Sequence, residues 1–282
     1  MKIGYLGPKA TFTEMAVRSL FSEDDVQPYF SIPDCLDAVS EREVEVAVVP
    51  LENAIEGSVN ITLDYLIHEM DIPIVAEVTL PIKQHLMVHP VNKENWTQVK
   101  RICSHSHAIA QCHKFLHKRF NGVVLESAAS TAEAARIVKE HKESGIAAIA
   151  NELAATEYGL EIVARDIHDY EYNHTSFVVL SNEKIDFPGL NVAFSGFKTK
   201  MMVTLPSNQA GALHQVLSAF AWRKVNLSKI ESRPMKTGIG NYFFIIDLEM
   251  KMDDVLIPGA ISELEALGCH INVLGTYPSF LI

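Results

Sequence analysis

The chain is 282 residues long with a formal net charge of −11, 48% hydrophobic and 21% charged residues, a balance that argues against a nucleic-acid binder and against disorder. At roughly 150 residues per domain the length suggests about two domains, each large enough to bury a core. The opening MKIGYLGP lacks the apolar stretch of a signal peptide, and no run approaches the roughly 18 apolar residues of a membrane span, so a cytoplasmic chain with no membrane partner is expected.

Short apolar runs alternate with helical patterns over the first 180 residues, the signature of an α/β domain. KIGYLG reads as a strand, followed by an amphipathic helix from Thr11 to Phe21 and the strand EVAVVP at 45–50. A helix near Ile61–Glu69, strands near Ile74–Val78 and Ile82–Val88, and a strand ending at Cys103 come next. Then follow a helix from about His107 to Phe120, the strand Val123–Leu125, a helix from Thr131 to about Lys142 and the strand Ile146–Ala150. The first domain closes with the helix Glu152–Tyr158, capped by Gly159, and a strand near Ser176–Leu180.

Periodicity stops between Ser181 and Lys198, where charges mix with Pro188 and Gly189. This places a first domain at 1–183, a linker at 184–198 and a second domain at 199–282. The second domain reads as strand 201–205, helix from Gly211 to about Arg223, strand NLSKIESRP, turn KTGIGN, strand YFFIIDLE, helix Val255–Leu267 and strand INVLGTY. That order, βαββαβ, is ferredoxin-like.

Several strand-to-helix junctions carry hydroxyl, amide or small residues and are candidate anion sites. Thr11 and Glu14 have capping-box spacing, and PLENAIEGSVN gathers Glu52, Asn53, Ser58 and Asn60 around Gly57. SHSHAIAQC puts Ser104 and Ser106 beside unpaired backbone donors at a helix start. Ser130 and Glu133 repeat the capping box and are read as structural only. His113 and His117 lie four apart behind His105 and His107, but no HExxH glutamate, cysteine pair or matching carboxylate accompanies them, so no metal is expected. Cys35, Cys103, Cys112 and Cys269 form no CxxC pair and read as buried reduced thiols. Gly4 and Gly7 do not complete GxGxxG and no GxxxxGK[ST] occurs, which argues against nucleotide binding. In NHTSFVVL, His174, Ser176, Val178 and Leu180 alternate with Asn173, Thr175, Phe177 and Val179 on opposite faces.

Taken in order, GPKATFTEMA at 7–16, PLENAIEGSV at 50–59, SHSHAIAQC and NHTSF resemble the GPxGTFxExA, PxENSxEGxV, SHxxALxQC and NxTRF segments of prephenate dehydratase. The second domain resembles an ACT regulatory domain through GALHQVLSAFA at 211–221 and KIESRP at 229–234. The chain departs from the family pattern at Ala10, usually glycine, at Ala54, usually serine, and at Ser176, usually arginine. Ser176 cannot replace a guanidinium's charge, but the alternation puts it opposite Thr175, so activity is expected to persist.

The resemblance implies a bilobal α/β catalytic domain of the periplasmic-binding-protein type, followed by the ferredoxin-like ACT domain. One lobe would span about 1–80 with 165–181, the other about 81–164. It further implies the decarboxylating dehydration of prephenate to phenylpyruvate without a cofactor. Thr175 would be the donor to the departing hydroxyl, with Thr11, Asn53, Ser104, Gln111 and Phe177 binding substrate. L-phenylalanine would act as allosteric effector through Gly211, Ala212, Leu213, Glu231, Ser232, Arg233 and Pro234 in a homodimer or homotetramer. An arogenate dehydratase and a non-catalytic amino-acid sensor are the competing readings.

Overall fold

Runs of β-branched and small apolar residues alternating with capped amphipathic segments give a layered α/β arrangement in the computed structural model, which describes residues 1–21, 25–142, 145–187, 192–207, 209–235 and 242–282. The first lobe contains β1 (Lys2–Leu6), α1 (Phe12–Leu20), β2 (Asp25–Tyr29), α2 (Ile32–Ser40), β3 (Val46–Asn53), β4 (Gly57–Ser58), α3 (Asn60–His68) and β5 (Ile74–Pro81). The second contains β6 (His85–Val88), β7 (Arg101–Ser104), α4 (Ser106–Gln111), α5 (His113–Arg119), β8 (Val124–Ser127), α6 (Thr131–Glu140), β9 (Ile146–Ala150), α7 (Glu152–Tyr158) and β10 (Glu161–Ala164). β11 (His174–Leu180) then returns to the first lobe between β5 and β3.

The C-terminal unit runs β12 (Ala193–Thr204), α8 (Ala212–Ala221), β13 (Leu227–Pro234), β14 (Tyr242–Leu248), α9 (Leu256–Ala266) and β15 (His270–Leu281), with sheet order β13-β14-β12-β15. This is the βαββαβ arrangement that the pattern predicts. It does not stand apart, because β15 pairs in parallel with β5 and makes one sheet, ordered β13-β14-β12-β15-β5-β11-β3-β1-β2, across both units. Gly275 lies at that seam, where a Cβ would sit 2.4 Å from the Ile74 carbonyl oxygen. Only glycine permits so close a backbone approach. The second lobe has its own sheet, β10-β6-β9-β7-β8.

Each sheet face is covered. Leu36, Val49, Leu63 and Ile74 from the first lobe share a core with Phe243, Ile245, Leu274 and Tyr277 of the C-terminal unit. Ile3, Val17, Leu20 and Val179 fill the opposite face. Two further clusters enclose the second lobe's sheet, and Met201, Val216, Phe220, Ile257 and Leu264 pack α8 and α9 on the C-terminal sheet.

Several element boundaries differ from the sequence reading. The single helix expected over 107–120 is two, α4 and α5, interrupted at Cys112 with φ −112° and ψ 15°. Residues 193–198, expected in the linker, belong to β12, because their backbone pairs with the end of β15. β2 and α2 carried no expectation: Asp25, Gln27 and Pro28 break the apolar alternation of β2. Pro188, Gly189 and the turn expected at 236–241 lie outside the described residues.

Candidate active site

Parallel strands β1, β7 and β8 each run directly into a helix, and their carboxyl ends face a cleft of about 1210 Å³ between the lobes. This is where open α/β sheets gather ligands. One wall carries Thr11, Phe12 and Thr13 at the start of α1 with Asn53, Gly57 and Ser58 from the β3–β4 turn. The facing wall carries His105, His107, Ala108 and Gln111, together with Ser130, Thr131 and Glu133 at the start of α6. Thr175 and Phe177 from β11, with Ile82 and Gln84 from the crossover, complete the lining. Among the described lining residues there is no lysine or arginine. The cleft therefore offers an anion the N-termini of α1 and α6, whose first N–H groups lack intrahelical partners, beside His105 and His107 and against the carboxylates of Glu56 and Glu133.

Local capping explains the geometry of these termini. Thr11 Oγ1 accepts from Glu14 N–H at 3.3 Å, and the Glu14 carboxylate reaches back to Ala10 N–H at 2.6 Å. Ala10, where the family has glycine, holds φ +66°, a left-handed conformation that side chains adopt at a cost. It is fixed from both lobes, since Asn151 Nδ2 donates to its carbonyl at 3.0 Å. Ser130 Oγ likewise accepts from Glu133 N–H at 3.0 Å.

Polar partners decide which groups can meet a ligand. Asn53 Oδ1 accepts the N–H groups of Ile55 and Glu56, both at 3.0 Å. Its Nδ2 donates to Thr175 Oγ1 at 2.8 Å, to Asn173 Oδ1 at 2.9 Å and to the His174 carbonyl at 3.2 Å. Asn53 thus lines the cleft with its polar atoms committed to the protein. Thr175 Oγ1 accepts from Asn53, which leaves the threonine's own hydrogen available. Asn173 Nδ2 donates to Gln111 Oε1 at 3.0 Å, leaving the Gln111 Nε2 side for the cleft. Phe177 is 2% exposed and supplies an apolar wall.

Ser104 is not brought to the cleft. It is fully buried, and its hydroxyl donates to the Ile149 carbonyl at 2.6 Å inside the second sheet. The pleat of β7 turns it inward, and Ser130 and Thr131 supply hydroxyls on that wall instead. Gln84, Asn173 and the α6 terminus had no place in the sequence reading of the site. A strand end followed by small residues and a capping box is the available signal for α6; Asn173 carries only its place as the first residue of NHTSF, and Gln84 carries none. The Gln84 Oε1 atom is buried without a partner.

The other candidates fall elsewhere. Burial pushes the thiols of Cys103 to about 11 and Cys112 to about 12, so neither is an activated nucleophile. The rings of His113 and His117 stack at 5.9 Å. Ser176 faces away from Thr175, toward a second cavity of about 250 Å³ lined by Glu52, Glu77, His174, Lys198 and Asp247.

Gly211 starts α8 with φ +87°. Arg233, Phe243 and Thr204 are in register across β13, β14 and β12, so Gly211–Leu213 and Pro234 follow strand ends on the same side of the sheet. Glu231 accepts from Ser58 Oγ at 2.5 Å, and Arg233 donates to Asn60 Oδ1 at 2.5 Å and pairs with Asp64 at 2.6 Å. β13 is therefore tied to the turn that forms one wall of the cleft.

The family model for prephenate dehydratase matches residues 3–185. The chain is 59% identical to the prephenate dehydratase of Bacillus subtilis (strain 168), covering 99% of both chains. It superposes on the prephenate dehydratase of Arthrobacter aurescens in complex with L-Phe with a TM-score of 0.85 at 32% identity, covering 98% of this chain and 90% of that one. The prephenate dehydratase of Staphylococcus aureus gives 0.82 at 30% identity, covering 98% of this chain and 100% of that one.

Proposed function

This chain belongs to the prephenate dehydratase family, and on that premise we propose that prephenate lies in the inter-lobe cleft with Thr175 donating to its departing hydroxyl. The reaction is the decarboxylating dehydration of prephenate to phenylpyruvate, a carbon–oxygen lyase step of phenylalanine biosynthesis. As the ring carboxylate leaves as carbon dioxide, its electron pair enters the ring and the carbon–oxygen bond opposite breaks. The hydroxide released takes a proton to become water. Aromatisation drives the step, and the kinetic problem is the negative charge growing on the leaving oxygen.

The observation that carries this reading is the 2.8 Å bond from Asn53 Nδ2 to Thr175 Oγ1. With its lone pair engaged, the threonine directs its hydrogen outward, toward the position where charge develops. A threonine hydroxyl is too weak an acid for complete proton transfer without a relay, so its contribution is charge stabilisation by a fixed donor. Gln111 Nε2 and the first N–H groups of α1 and α6 receive the carboxylates and the keto oxygen. Thr11 acts here through its cap, and Phe177 bounds the ring.

The C-terminal unit is an ACT domain in this proposal, with L-phenylalanine bound by Gly211–Leu213 and Glu231–Pro234 in a cytoplasmic homodimer or homotetramer. The L-Phe complex of the Arthrobacter relative supports the effector, and the outer edge of β13, unpaired among the described residues, supports assembly. The test is phenylpyruvate formation at mildly alkaline pH, with and without phenylalanine and with arogenate in parallel, since acid alone aromatises prephenate. Prephenate turnover suppressed by phenylalanine supports the reading, and preferred turnover of arogenate would replace the substrate. Unchanged phenylalanine sensitivity in a Glu231→Ala variant would overturn the effector placement.

A further inference from the structure

We propose that Asn173 is a positioning residue that carries the hydrogen-bond direction set by a backbone turn across the cleft floor, forcing Gln111 to present donors to the substrate. The inference rests on the reading of the cleft as the prephenate site. Asn173 is 2% exposed and does not line the cleft, so it acts through Gln111.

The direction follows from groups that have no choice. The N–H groups of Ile55 and Glu56 can only donate, which pins Asn53 Oδ1 as an acceptor. The His174 carbonyl can only accept, which pins Asn53 Nδ2 as a donor. Asn173 Oδ1 then receives Nδ2 of Asn53, its own Nδ2 must donate, and Gln111 Oε1 receives it. An isolated carboxamide turns over freely because its two ends are nearly the same shape. Turning Asn173 over would set nitrogen against nitrogen at one end and oxygen against oxygen at the other. Gln111 is thereby held with Nε2 toward a ligand that offers two carboxylates and a keto oxygen, all acceptors. The chain also joins the lobes, from the β3–β4 turn through Asn173 to α4.

The Asn173→Asp variant tests direction separately from shape. As a carboxylate it still accepts from Asn53 but has no hydrogen for Gln111, which turns its Nε2 inward and shows oxygen to the substrate. At pH 8 the KM for prephenate rises at least about tenfold while kcat falls less. Asn173→Ala is impaired as well. Wild-type KM for the aspartate variant at pH 8 overturns the inference. Should that variant fail to fold, Gln111→Ala is compared in wild-type and Asn173→Ala backgrounds. Losses that overlap support action through Gln111, and losses that multiply overturn it. Wild-type protein without prephenate turnover would instead overturn the reading of the cleft, a result distinct from either.

Discussion

Replacing Thr175 by alanine separates the cost to the fold from the cost to the chemistry. Thr175 is 9% exposed, and the substitution deletes one methyl group and one neutral hydrogen bond. Burial of the methyl is worth about 0.8 kcal/mol, and the hydrogen bond about 1 kcal/mol. The partner is not stranded, since Asn53 Nδ2 keeps Asn173 Oδ1 at 2.9 Å and the His174 carbonyl at 3.2 Å. The fold therefore loses about 2 kcal/mol at most. A fixed donor to a developing oxyanion is worth about a hundredfold or more in kcat, about 2.7 kcal/mol or more of the barrier. The expected result is a folded protein, verified by circular dichroism and thermal melting, whose kcat for phenylpyruvate formation falls at least about a hundredfold. Thr175→Val keeps the side chain's shape without the hydroxyl and falls with it, while Thr175→Ser keeps the hydroxyl and retains most of the turnover. Near-wild-type kcat in the alanine and valine variants would remove Thr175 from the mechanism.

Ser104→Ala costs about 1 kcal/mol of stability by deleting the bond to Ile149 and leaves the KM for prephenate unchanged; a raised KM would return Ser104 to the cleft. Lys200→Met strands the Asp247 carboxylate, since both side chains of that pair are more than nine-tenths buried, and lowers stability to denaturant by about 3–5 kcal/mol; adding Asp247→Leu recovers most of the loss. Burial lowers the pKa of His85 against the opposing pull of Asp166, and its Nδ1 accepts the Asp166 N–H at 3.0 Å only while unprotonated. Because the folded pKa lies below the ordinary 6.5, the stabilisation is complete above that value and is lost as pH falls through the window beneath it. His85→Gln, which keeps an acceptor, flattens that part of the acid limb in melts across pH.

Helices and strands with strong periodicity were legible because burial imposes a period the sequence must obey. Gly159 takes φ +64° as a helix cap should, and β11 puts Thr175 and Phe177 on the cleft with Ser176 behind them. Ser104 was misplaced because a serine at a strand end looks the same whether the pleat turns it outward or in. The deciding contact, with Ile149, comes from a strand 45 positions away. Asn173 opens the NHTSF segment, but its role is not stated there for the same reason, since its partner Asn53 lies 120 positions earlier. Polar side chains acquire roles from what faces them, and a single sequence does not state that.

Ser176 shows how far that principle reaches. The absent guanidinium would have pointed into the seam between the catalytic lobe and the C-terminal unit, where Glu52, Glu77 and Asp247 gather. Those carboxylates already have cations: Lys229 lies 2.8 Å from Glu52, Lys198 lies 2.5 Å from Glu77, and Lys200 pairs with Asp247. All three lysines belong to β12 and β13, so charge neutrality at the back of β11 is supplied by the C-terminal unit. The face carrying Thr175 is left as it was. Neutralising Glu52 and Glu77 thus requires the C-terminal unit to stay docked. The same β13 that supplies Lys229 holds Ser58 of the cleft wall through Glu231. A ligand drawing Glu231 away from Ser58 would loosen both contacts together, giving such a ligand a physical route to the cleft that needs no change at Thr175.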